Sequence, residues 1–311
     1  MRGTVFTPMF ARKVSIVIPT RNGADTLPAV LDALARQRIE VPVETLAIDS
    51  GSTDGTVALL RRHDVKVLDI SSDSFDHGLT RNFGLSLATG DLVVLLVQDA
   101  VPASDDWLSN LTAPFDADPQ LAGTFARQEP SASAGAITRH YHASYLASSP
   151  IGRTATLSNG DAYSALAPAA RLDRCTFDNV CSCVRRTIWE RQPFQSTAIG
   201  EDIAWAKNVL LAGYRLAYVP DAVVVHSHER SVRYEFWRTV TLHRELYRLF
   251  DLRTIPSMSQ LLRAISSSLA LHGRLEWNTR SFGLAFAWPV AQYIGALSAA
   301  RGWPMRRRKG V

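Results

Sequence analysis

Cysteine is scarce in this chain of 311 residues, which contains three: Cys175, Cys181 and Cys183. An odd number without a Cys-x-x-Cys pair indicates neither a disulfide framework nor a zinc site built from cysteines. A reduced compartment is the simplest setting for such a chain. The first 13 residues contain no apolar run long enough for a secretory signal peptide. We therefore expect a cytoplasmic protein.

The chain also lacks a Gly-x-Gly-x-x-Gly turn after its first predicted strand. This absence argues against a nicotinamide-dependent dehydrogenase, a class that shares the alternation of strands and helices described below. Neither sign of charge is in great excess, because 34 Lys and Arg against 29 Asp and Glu give a formal net charge of +5. The small positive excess fits an anionic partner, such as a nucleoside diphosphate or an acidic membrane surface, but does not distinguish between these two.

Short apolar runs rich in β-branched residues alternate with segments of helical periodicity over the first 230 residues. The predicted strands are residues 14–18, 43–48, 65–70, 92–97, 121–127 and 214–225, the last with a turn at Pro220, and the predicted helices include residues 26–36, 56–62, 79–88 and 199–211. This alternation is typical of an α/β fold with a mostly parallel, Rossmann-like sheet and helices on both faces. We divide the chain into an α/β domain of residues 1–230 and a helical C-terminal extension of residues 231–311.

The extension contains an uncharged segment, residues 281–300, between Arg280 and Arg301. Its length is close to the ~20 residues of a membrane span, but its many small residues and Pro289 favour a packed or interfacial helix. The basic run Arg306-Arg307-Arg308-Lys309 suits an anionic cytoplasmic leaflet, and a disordered tail without a partner is the alternative. Because this run has no interleaved aromatic residues, we expect no nucleic-acid partner.

Polar side chains follow several of the predicted strands. Thr20-Arg21-Asn22 follows the first strand, Asp49-Ser50-Gly51 the second and Gln98-Asp99 the fourth. Ligands of parallel α/β sheets bind beyond the carboxyl ends of the strands, so these residues are candidates for one binding site. Asp49 can accept hydrogen bonds from a base or a ribose, although the same stretch can also cap the next helix.

Two of these stretches carry a resemblance to a known family. The runs Ile18-Pro19-Thr20-Arg21-Asn22-Gly23 and Asp49-Ser50-Gly51-Ser52-Thr53-Asp54-Gly55-Thr56, in this order and spacing, resemble family 2 glycosyltransferases. The resemblance implies a GT-A fold, a nucleotide-sugar donor and a glycan or lipid-linked acceptor. It also implies that the donor is bound by these six residues: Pro19, Thr20, Arg21, Asp49, Ser50 and Gly51.

Two further motifs look like the subset of this family that transfers L-rhamnose. The first is Phe75-Asp76-His77-Gly78-Leu79-Thr80-Arg81, in which His77 and Arg81 are implied to bind the donor. We place Arg81 in the first turn of a helix, where it can meet phosphate oxygens; an ordinary surface arginine is the alternative. The second is Val97-Gln98-Asp99-Ala100, in which Val97 stands where this fold usually carries the first acid of an Asp-x-Asp pair. Asp99 remains to hold Mg²⁺ or Mn²⁺.

The catalytic base is expected in Gly200-Glu201-Asp202-Ile203. A carboxylate within reach of the acceptor hydroxyl can take its proton, and we assign this role to Asp202, with Glu201 as the alternative. Both acids would otherwise compensate the charge of a helix N-terminus. By resemblance, Asn179 lies in a donor- or acceptor-side motif, and we assign it to the donor; its alternative role is in a turn. We expect one of His226 and His228 to face the metal or diphosphate, and we favour His226.

The resulting hypothesis is an inverting glycosyltransferase that moves L-rhamnose from dTDP-L-rhamnose to a hydroxyl group in cell-surface polysaccharide synthesis. It would act in the cytoplasm or peripherally at the cytoplasmic face of the inner membrane. The rival hypothesis, favoured by the degenerate Asp-x-Asp pair, is a non-catalytic sugar-nucleotide-binding or membrane-associated protein. The catalytic hypothesis requires that Asp49, Asp99 and Asp202, which are distant in sequence, converge in space.

Overall fold

The computed structural model describes residues 13–157 and 160–304. Within these ranges the order of strands and helices follows the predicted alternation. The elements are β1 (Val14–Thr20), α1 (Leu27–Ala35), β2 (Val43–Asp49), α2 (Thr56–Arg62), β3 (Lys66–Asp69), α3 (His77–Leu87), β4 (Leu92–Leu96), β5 (Val101–Pro102), α4 (Trp107–Thr112), α5 (Pro114–Ala117), β6 (Leu121–Glu129), α6 (Ala136–Ala143), β7 (Arg153–Ala155), α7 (Gly160–Ser164), α8 (Pro168–Arg174), β8 (Cys181–Arg185), α9 (Arg186–Trp189), α10 (Glu201–Leu211), β9 (Arg215–Val225), α11 (Val232–Phe250), α12 (Met258–Leu275) and α13 (Thr279–Ala300).

The nine strands of the described ranges form one sheet in the order β3-β2-β1-β4-β8-β6-β9-β5, and β7 pairs with β9 outside this path. Strands β1, β2, β3 and β4 are parallel to one another, and β6 is parallel to β9. Strand β8 runs antiparallel to both β4 and β6 and joins the two parallel groups. The predicted mostly parallel sheet is therefore confirmed, with reversals at β5, β7 and β8.

The sheet is apolar on both faces. All five residues of β4 are buried, as expected for a strand covered by helices on each side. On one face, Ile16 packs in a cluster with Val30 of α1. On the other face, Val17 packs in a second cluster with Leu85 of α3 and Trp205 of α10. The helices predicted on both faces of the sheet are therefore present.

Two local predictions need correction. Helix α3 begins at His77, two residues earlier than predicted, because the Asp76 carboxylate accepts hydrogen bonds from the backbone N–H groups of Gly78 and Leu79. Arg81 consequently lies in the second turn of the helix and not in the first. The turn expected at Pro220 is instead a bulge within the continuous strand β9, where the register against β6 shifts between Ala126 and Arg127.

The C-terminal helices pack against one another. Helix α13 lies against α11, and Gly295 permits the close approach because a Cβ atom there would lie 3.0 Å from the Cβ atom of His243. Within the described ranges, α13 is the one helix long and apolar enough to cross a membrane, a criterion that core helices also satisfy. Within the apolar stretch of 18 residues that meets this criterion in α13, 44% is buried. The basic run 306–309 lies outside the described residues.

Candidate active site

The carboxyl ends of β1 and β2 form the first part of the site. Asp49 is only 2% exposed, and its carboxylate accepts hydrogen bonds from Thr20 Oγ1 at 3.0 Å and from Ser52 Oγ at 2.6 Å. Its second oxygen accepts from the backbone N–H groups of Gly51 and Ser52. Gly51 has a φ angle of 84°, which favours glycine. In this structure Asp49 therefore shapes the loop predicted to hold the nucleoside.

The loops after β1 and β4 are joined by a reciprocal pair of hydrogen bonds. The backbone N–H of Arg21 donates to Gln98 Oε1 at 2.8 Å, and Gln98 Nε2 donates to the Arg21 carbonyl at 3.1 Å. In addition, Ser50 Oγ donates to the Thr20 carbonyl, and Pro19 pairs in register with Ile48 of β2. The residues predicted after these strands therefore lie together at one edge of the sheet, and Asp99 directly follows the pair.

Asp99 lies beside two histidines. His226 Nε2 is 3.7 Å from Asp99 Oδ1, and His228 Nε2 is 3.4 Å from Asp99 Oδ2. The two Nε2 atoms are 3.0 Å apart. The expectation that only one histidine faces the site is wrong, because side chains two residues apart in an extended chain lie on the same side. One ligand atom from each residue lies within 4.8 Å of the others, which suits a bound cation.

The environment of the histidines favours metal binding. Burial lowers the pKa of His226, and the nearby Asp99 carboxylate opposes this effect. Burial likewise lowers the pKa of His228, as does the neighbouring His226. A lowered pKa keeps the imidazole neutral, which is the form that binds a metal ion. The chemistry of the three side chains, a carboxylate and two neutral imidazoles, therefore fits a divalent cation.

Arg81 and Glu201 form a buried ion pair. Arg81 Nη1 is 2.8 Å from Glu201 Oε1, and each side chain is 6% exposed. The same arginine donates to the carbonyl oxygens of His77 and Asn179, and Asn179 Nδ2 donates to Glu201 Oε1 at 3.3 Å. The charge of Arg81 is thus neutralised by Glu201 within the protein. Burial lowers the pKa of His77, an effect that Glu201 opposes.

Asp202 is the more exposed of the two adjacent acids and is half-buried. Its Oδ2 accepts a hydrogen bond from the backbone N–H of Asn179 at 3.2 Å, and its Oδ1 accepts from that of Ile203 at 2.8 Å. Burial raises the pKa of Asp202 well above the ordinary value, and the negative charges of Glu201 and Asp178 raise it further. A carboxylate with a raised pKa is a stronger base when deprotonated, as the predicted role requires.

Two residues that were not predicted from the sequence, Gln128 and Asp178, connect the metal cluster to the backbone that binds Asp202. Asp178 Oδ2 accepts hydrogen bonds from Gln128 Nε2 and from Tyr145 Oη, both at 2.7 Å. Gln128 Oε1 lies 3.1 Å from His226 Nδ1. Gln128 directly follows the predicted strand 121–127, so the rule that selected Asp49 and Asp99 would also have selected it. Asp178 directly precedes Asn179, which the resemblance had already indicated.

The three predicted acids are therefore joined along one edge of the sheet. Asp49 accepts a hydrogen bond from the hydroxyl of Thr20. The next residue, Arg21, donates its backbone N–H to Gln98, which directly precedes Asp99. From Asp99, contacts pass through His226, Gln128 and Asp178 to the Asn179 backbone, which donates to Asp202.

Comparison with known proteins identifies the family. The model of glycosyl transferase family 2 matches residues 15–174. An O-antigen chain rhamnosyltransferase, RfbN of Salmonella typhimurium, is 33% identical over 232 residues, covering 73% of this chain and 70% of that protein. A second O-antigen chain rhamnosyltransferase, WbaN of Salmonella anatum, is 27% identical over 228 residues, covering 72% and 69%.

Solved structures agree in fold. A mannosyltransferase from Pyrobaculum calidifontis, solved with GDP-Man and Mn²⁺, superposes with a TM-score of 0.55 at 20% identity, covering 96% of this chain and 78% of that chain. Glucosyl-3-phosphoglycerate synthase from Mycobacterium tuberculosis, solved with Mn²⁺ and UDP, gives a TM-score of 0.54 at 18% identity, covering 79% and 82%. The chain therefore belongs to glycosyl transferase family 2 and is a glycosyltransferase with the GT-A fold.

Proposed function

We propose that this enzyme transfers L-rhamnose from dTDP-L-rhamnose, with inversion, to a hydroxyl group of a glycan or lipid-linked acceptor in cell-surface polysaccharide synthesis. The names of the two O-antigen rhamnosyltransferase relatives support the sugar and the pathway. The observation that carries the proposal is the position of Asp202, a base with a raised pKa that is connected through the Asn179 backbone, Asp178 and Gln128 to the Asp99–His226–His228 cluster. A non-catalytic binding protein would have no need of such a base.

The residues take distinct roles. The nucleoside is held at the ends of β1 and β2 by Pro19, Thr20, Arg21, Asp49, Ser50 and Gly51. Gln98 fixes the loop that carries Asp99, and His77 and Asn179 line the donor side near Glu201. We assign Arg81 and Glu201 to a structural role, because a buried arginine already paired with a carboxylate has little charge left for a phosphate.

The cation site consists of Asp99, His226 and His228. Two of the three candidate ligands are imidazoles, whereas Mg²⁺ prefers oxygen ligands. Because two solved structures of the same fold hold Mn²⁺, we propose Mn²⁺ in preference to Mg²⁺. A bound cation would supply positive charge to the diphosphate of the departing nucleotide.

Transfer is a single displacement in which Asp202 takes the proton of the acceptor hydroxyl. The hydroxyl oxygen forms a bond to the anomeric carbon as the bond from that carbon to the diphosphate oxygen breaks. The bonding electrons leave with the nucleoside diphosphate, and attack from the opposite face inverts the configuration. Because the base must be deprotonated to act, its position beside the acceptor and its proton affinity both contribute to the rate.

A panel of nucleotide sugars tests the donor and the metal together. We expect dTDP-L-rhamnose to give the fastest release of nucleoside diphosphate, ahead of dTDP-glucose, UDP-glucose and GDP-mannose. Release should be faster with Mn²⁺ than with Mg²⁺ and should stop when EDTA is added. Donor binding without any release, with or without acceptor extracts, would favour the non-catalytic alternative. Release that is unaffected by EDTA would contradict the metal assignment.

We also propose that the enzyme lies peripherally on the cytoplasmic face of the inner membrane. Large apolar side chains are exposed on α12 and just beyond it, including Leu262 at 62% and Trp277 at 81%. Helix α12 itself carries Arg263 and Arg274 and no acidic residue, which suits anionic headgroups. The basic run Arg306-Arg307-Arg308-Lys309 adds to this charge.

Sedimentation with phospholipid vesicles tests the membrane proposal. We expect the protein to sediment with anionic vesicles and to remain in solution with zwitterionic ones. Leu262→Glu should reduce the bound fraction, because a charge replaces an apolar side chain on the proposed contact surface. Leu211→Glu is the matched control, since Leu211 is exposed on a different helix, α10. Equal binding of both variants would contradict the assigned surface.

A further inference from the structure

We propose that Gln128 is a positioning residue that fixes which ring nitrogen His226 presents to the divalent cation, and that Asp178 determines the orientation of Gln128. The inference rests on the metal site of the proposed function. It concerns three residues whose side chains form one chain of hydrogen bonds: Asp178, Gln128 and His226.

Gln128 is well placed to transmit an orientation. It lies at the carboxyl end of β6, is 4% exposed, and uses both ends of its side-chain amide. Backbone hydrogen bonds hold the two partners of Gln128 in place. The backbone N–H of His226 donates to the backbone carbonyl of Glu129 at 2.9 Å. Asp178 is held by the backbone N–H of Val180, which donates to its Oδ1 at 2.8 Å. The amide therefore bridges two side chains whose positions are already restrained.

The chemistry of the groups fixes the direction of each hydrogen bond. An ionised carboxylate can only accept, so the amide nitrogen of Gln128 must face Asp178. The amide oxygen then faces His226 Nδ1 and, because it too is an acceptor, requires a proton on that nitrogen. A neutral imidazole carries one proton, so His226 Nε2 has a free lone pair.

That lone pair is directed at the proposed cation site. His226 Nε2 lies 3.0 Å from His228 Nε2 and 3.7 Å from Asp99 Oδ1. In the other tautomer a proton would occupy the position that the cation requires. Partners that orient a ligating histidine in this way typically contribute about 10–100-fold to metal affinity.

Three substitutions test the proposal. Gln128→Met keeps the approximate size of the side chain and removes both hydrogen bonds, so we expect Mn²⁺ affinity to fall by about 10–100-fold. Gln128→Glu can share one proton with the Asp178 carboxylate and still offers an acceptor to His226 Nδ1–H, so its affinity should stay much closer to that of the unmodified enzyme. Tyr145→Phe is the matched control, because it removes a different hydrogen bond to the same oxygen of Asp178 and should leave Mn²⁺ affinity unchanged.

Two readouts that do not depend on activity are needed. The dissociation constant for Mn²⁺ is measured from the electron paramagnetic resonance signal of the free ion. The tautomer of His226 is measured in the metal-free protein from imidazole ¹⁵N chemical shifts, assigned with His226→Gln. We expect the Nδ1–H form in the unmodified enzyme and in Tyr145→Phe. Gln128→Met should give a mixture of tautomers. Asp178→Asn should do the same, because the side-chain amide of Gln128 can then rotate by about 180° and exchange its oxygen and nitrogen.

An unchanged tautomer and unchanged Mn²⁺ affinity in Gln128→Met would overturn the proposal. If Gln128→Glu lost as much Mn²⁺ affinity as Gln128→Met, Gln128 would act only through packing and not through its hydrogen bond to His226. That result would also overturn the proposal. Asp178→Asn provides the same tautomer test if Gln128→Met does not fold. Failure of the unmodified enzyme to bind Mn²⁺ would overturn the proposed metal site together with this inference. The titration of the unmodified enzyme therefore comes first, and it distinguishes this failure from a failure of the inference alone.

Discussion

Replacing Asp202 by asparagine is expected to lower the rate of glycosyl transfer by about 10²–10⁴-fold, the usual contribution of a general base. Asparagine has nearly the same shape, but its amide cannot take the proton of the acceptor hydroxyl. Because Asp202 does not belong to the Asp49 loop or to the Asp99 cluster, the dissociation constant for the donor should change little. Single-turnover rates and donor titration by calorimetry measure the two quantities separately.

Asp202→Asn should also be at least as stable as the unmodified enzyme at pH 7. A carboxyl group whose pKa is raised by folding stabilises the native state while it is protonated, and this stabilisation is lost as pH rises through the raised pKa. Asparagine mimics the protonated form at every pH, so urea denaturation at pH 7 should show no loss of stability. A variant that is inactive because it is unfolded would contradict this account, as would one that retains full transfer.

The same pKa shift predicts the acid side of the pH–rate profile. Since Asp202 must be deprotonated to act, kcat should fall as pH decreases through a value above 3.8, the ordinary value for aspartate. Glu201 and Asp178 both raise the pKa of Asp202. Asp178→Asn, assayed at saturating Mn²⁺, should therefore move the fall in kcat to lower pH. A shift to higher pH would exclude Asp202 as the titrating base.

Glu201→Gln is expected to destabilise the protein by about 3–5 kcal/mol, because it leaves Arg81 buried and uncompensated. Arg81 Nη1 lies 2.8 Å from Glu201 Oε1, and both side chains are shielded from water. The neutral amide of glutamine can accept one hydrogen bond but cannot balance the guanidinium charge. The free energy of unfolding in urea measures the loss.

A double-mutant cycle with Arg81→Met isolates the energy of the pair. Removing both charges should cost much less than the sum of the two single changes, since no unpaired charge then remains buried. Additive losses would show that the pair contributes nothing specific. Below its unfolding transition, Glu201→Gln should keep most of its kcat, because Asp202 is unchanged. A catalytic loss as large as that of Asp202→Asn in folded Glu201→Gln would instead support Glu201 as the base.

The sequence was sufficient for six of the nine strands in the described ranges and for one edge of the site, whereas β5, β7 and β8 were not predicted. A strand covered on both faces must be apolar throughout, which makes runs such as Leu92–Leu96 recognisable. The polar residues that follow such strands must meet at one edge, so the proximity of Asp49 and Asp99 could be predicted before any coordinates. Helix α3 was misplaced by two residues because the capping role of Asp76 was not recognised.

The rest of the site depends on contacts between distant segments that leave no periodic pattern. Gln128 meets Asp178, which is 50 positions later, and meets His226, which is 98 positions later. The pairing of Arg81 with Glu201, 120 positions away, could likewise not be inferred from local sequence. For His226 and His228 the information was present, because spacing by two in an extended chain places both rings on one side.

The hydrogen bond between Gln128 and Asp178 joins the two ends of a long connection. The chain leaves β6 after Glu129 and reaches Asp178 just before β8, so this 2.7 Å contact holds the two ends together. The connection is itself anchored in the core, because β7 pairs with β9, and Tyr163 and Cys175 lie in the same buried cluster as Trp205 of α10. The metal cluster and the proposed base are therefore coupled to the packing of a segment that contributes no residue to either.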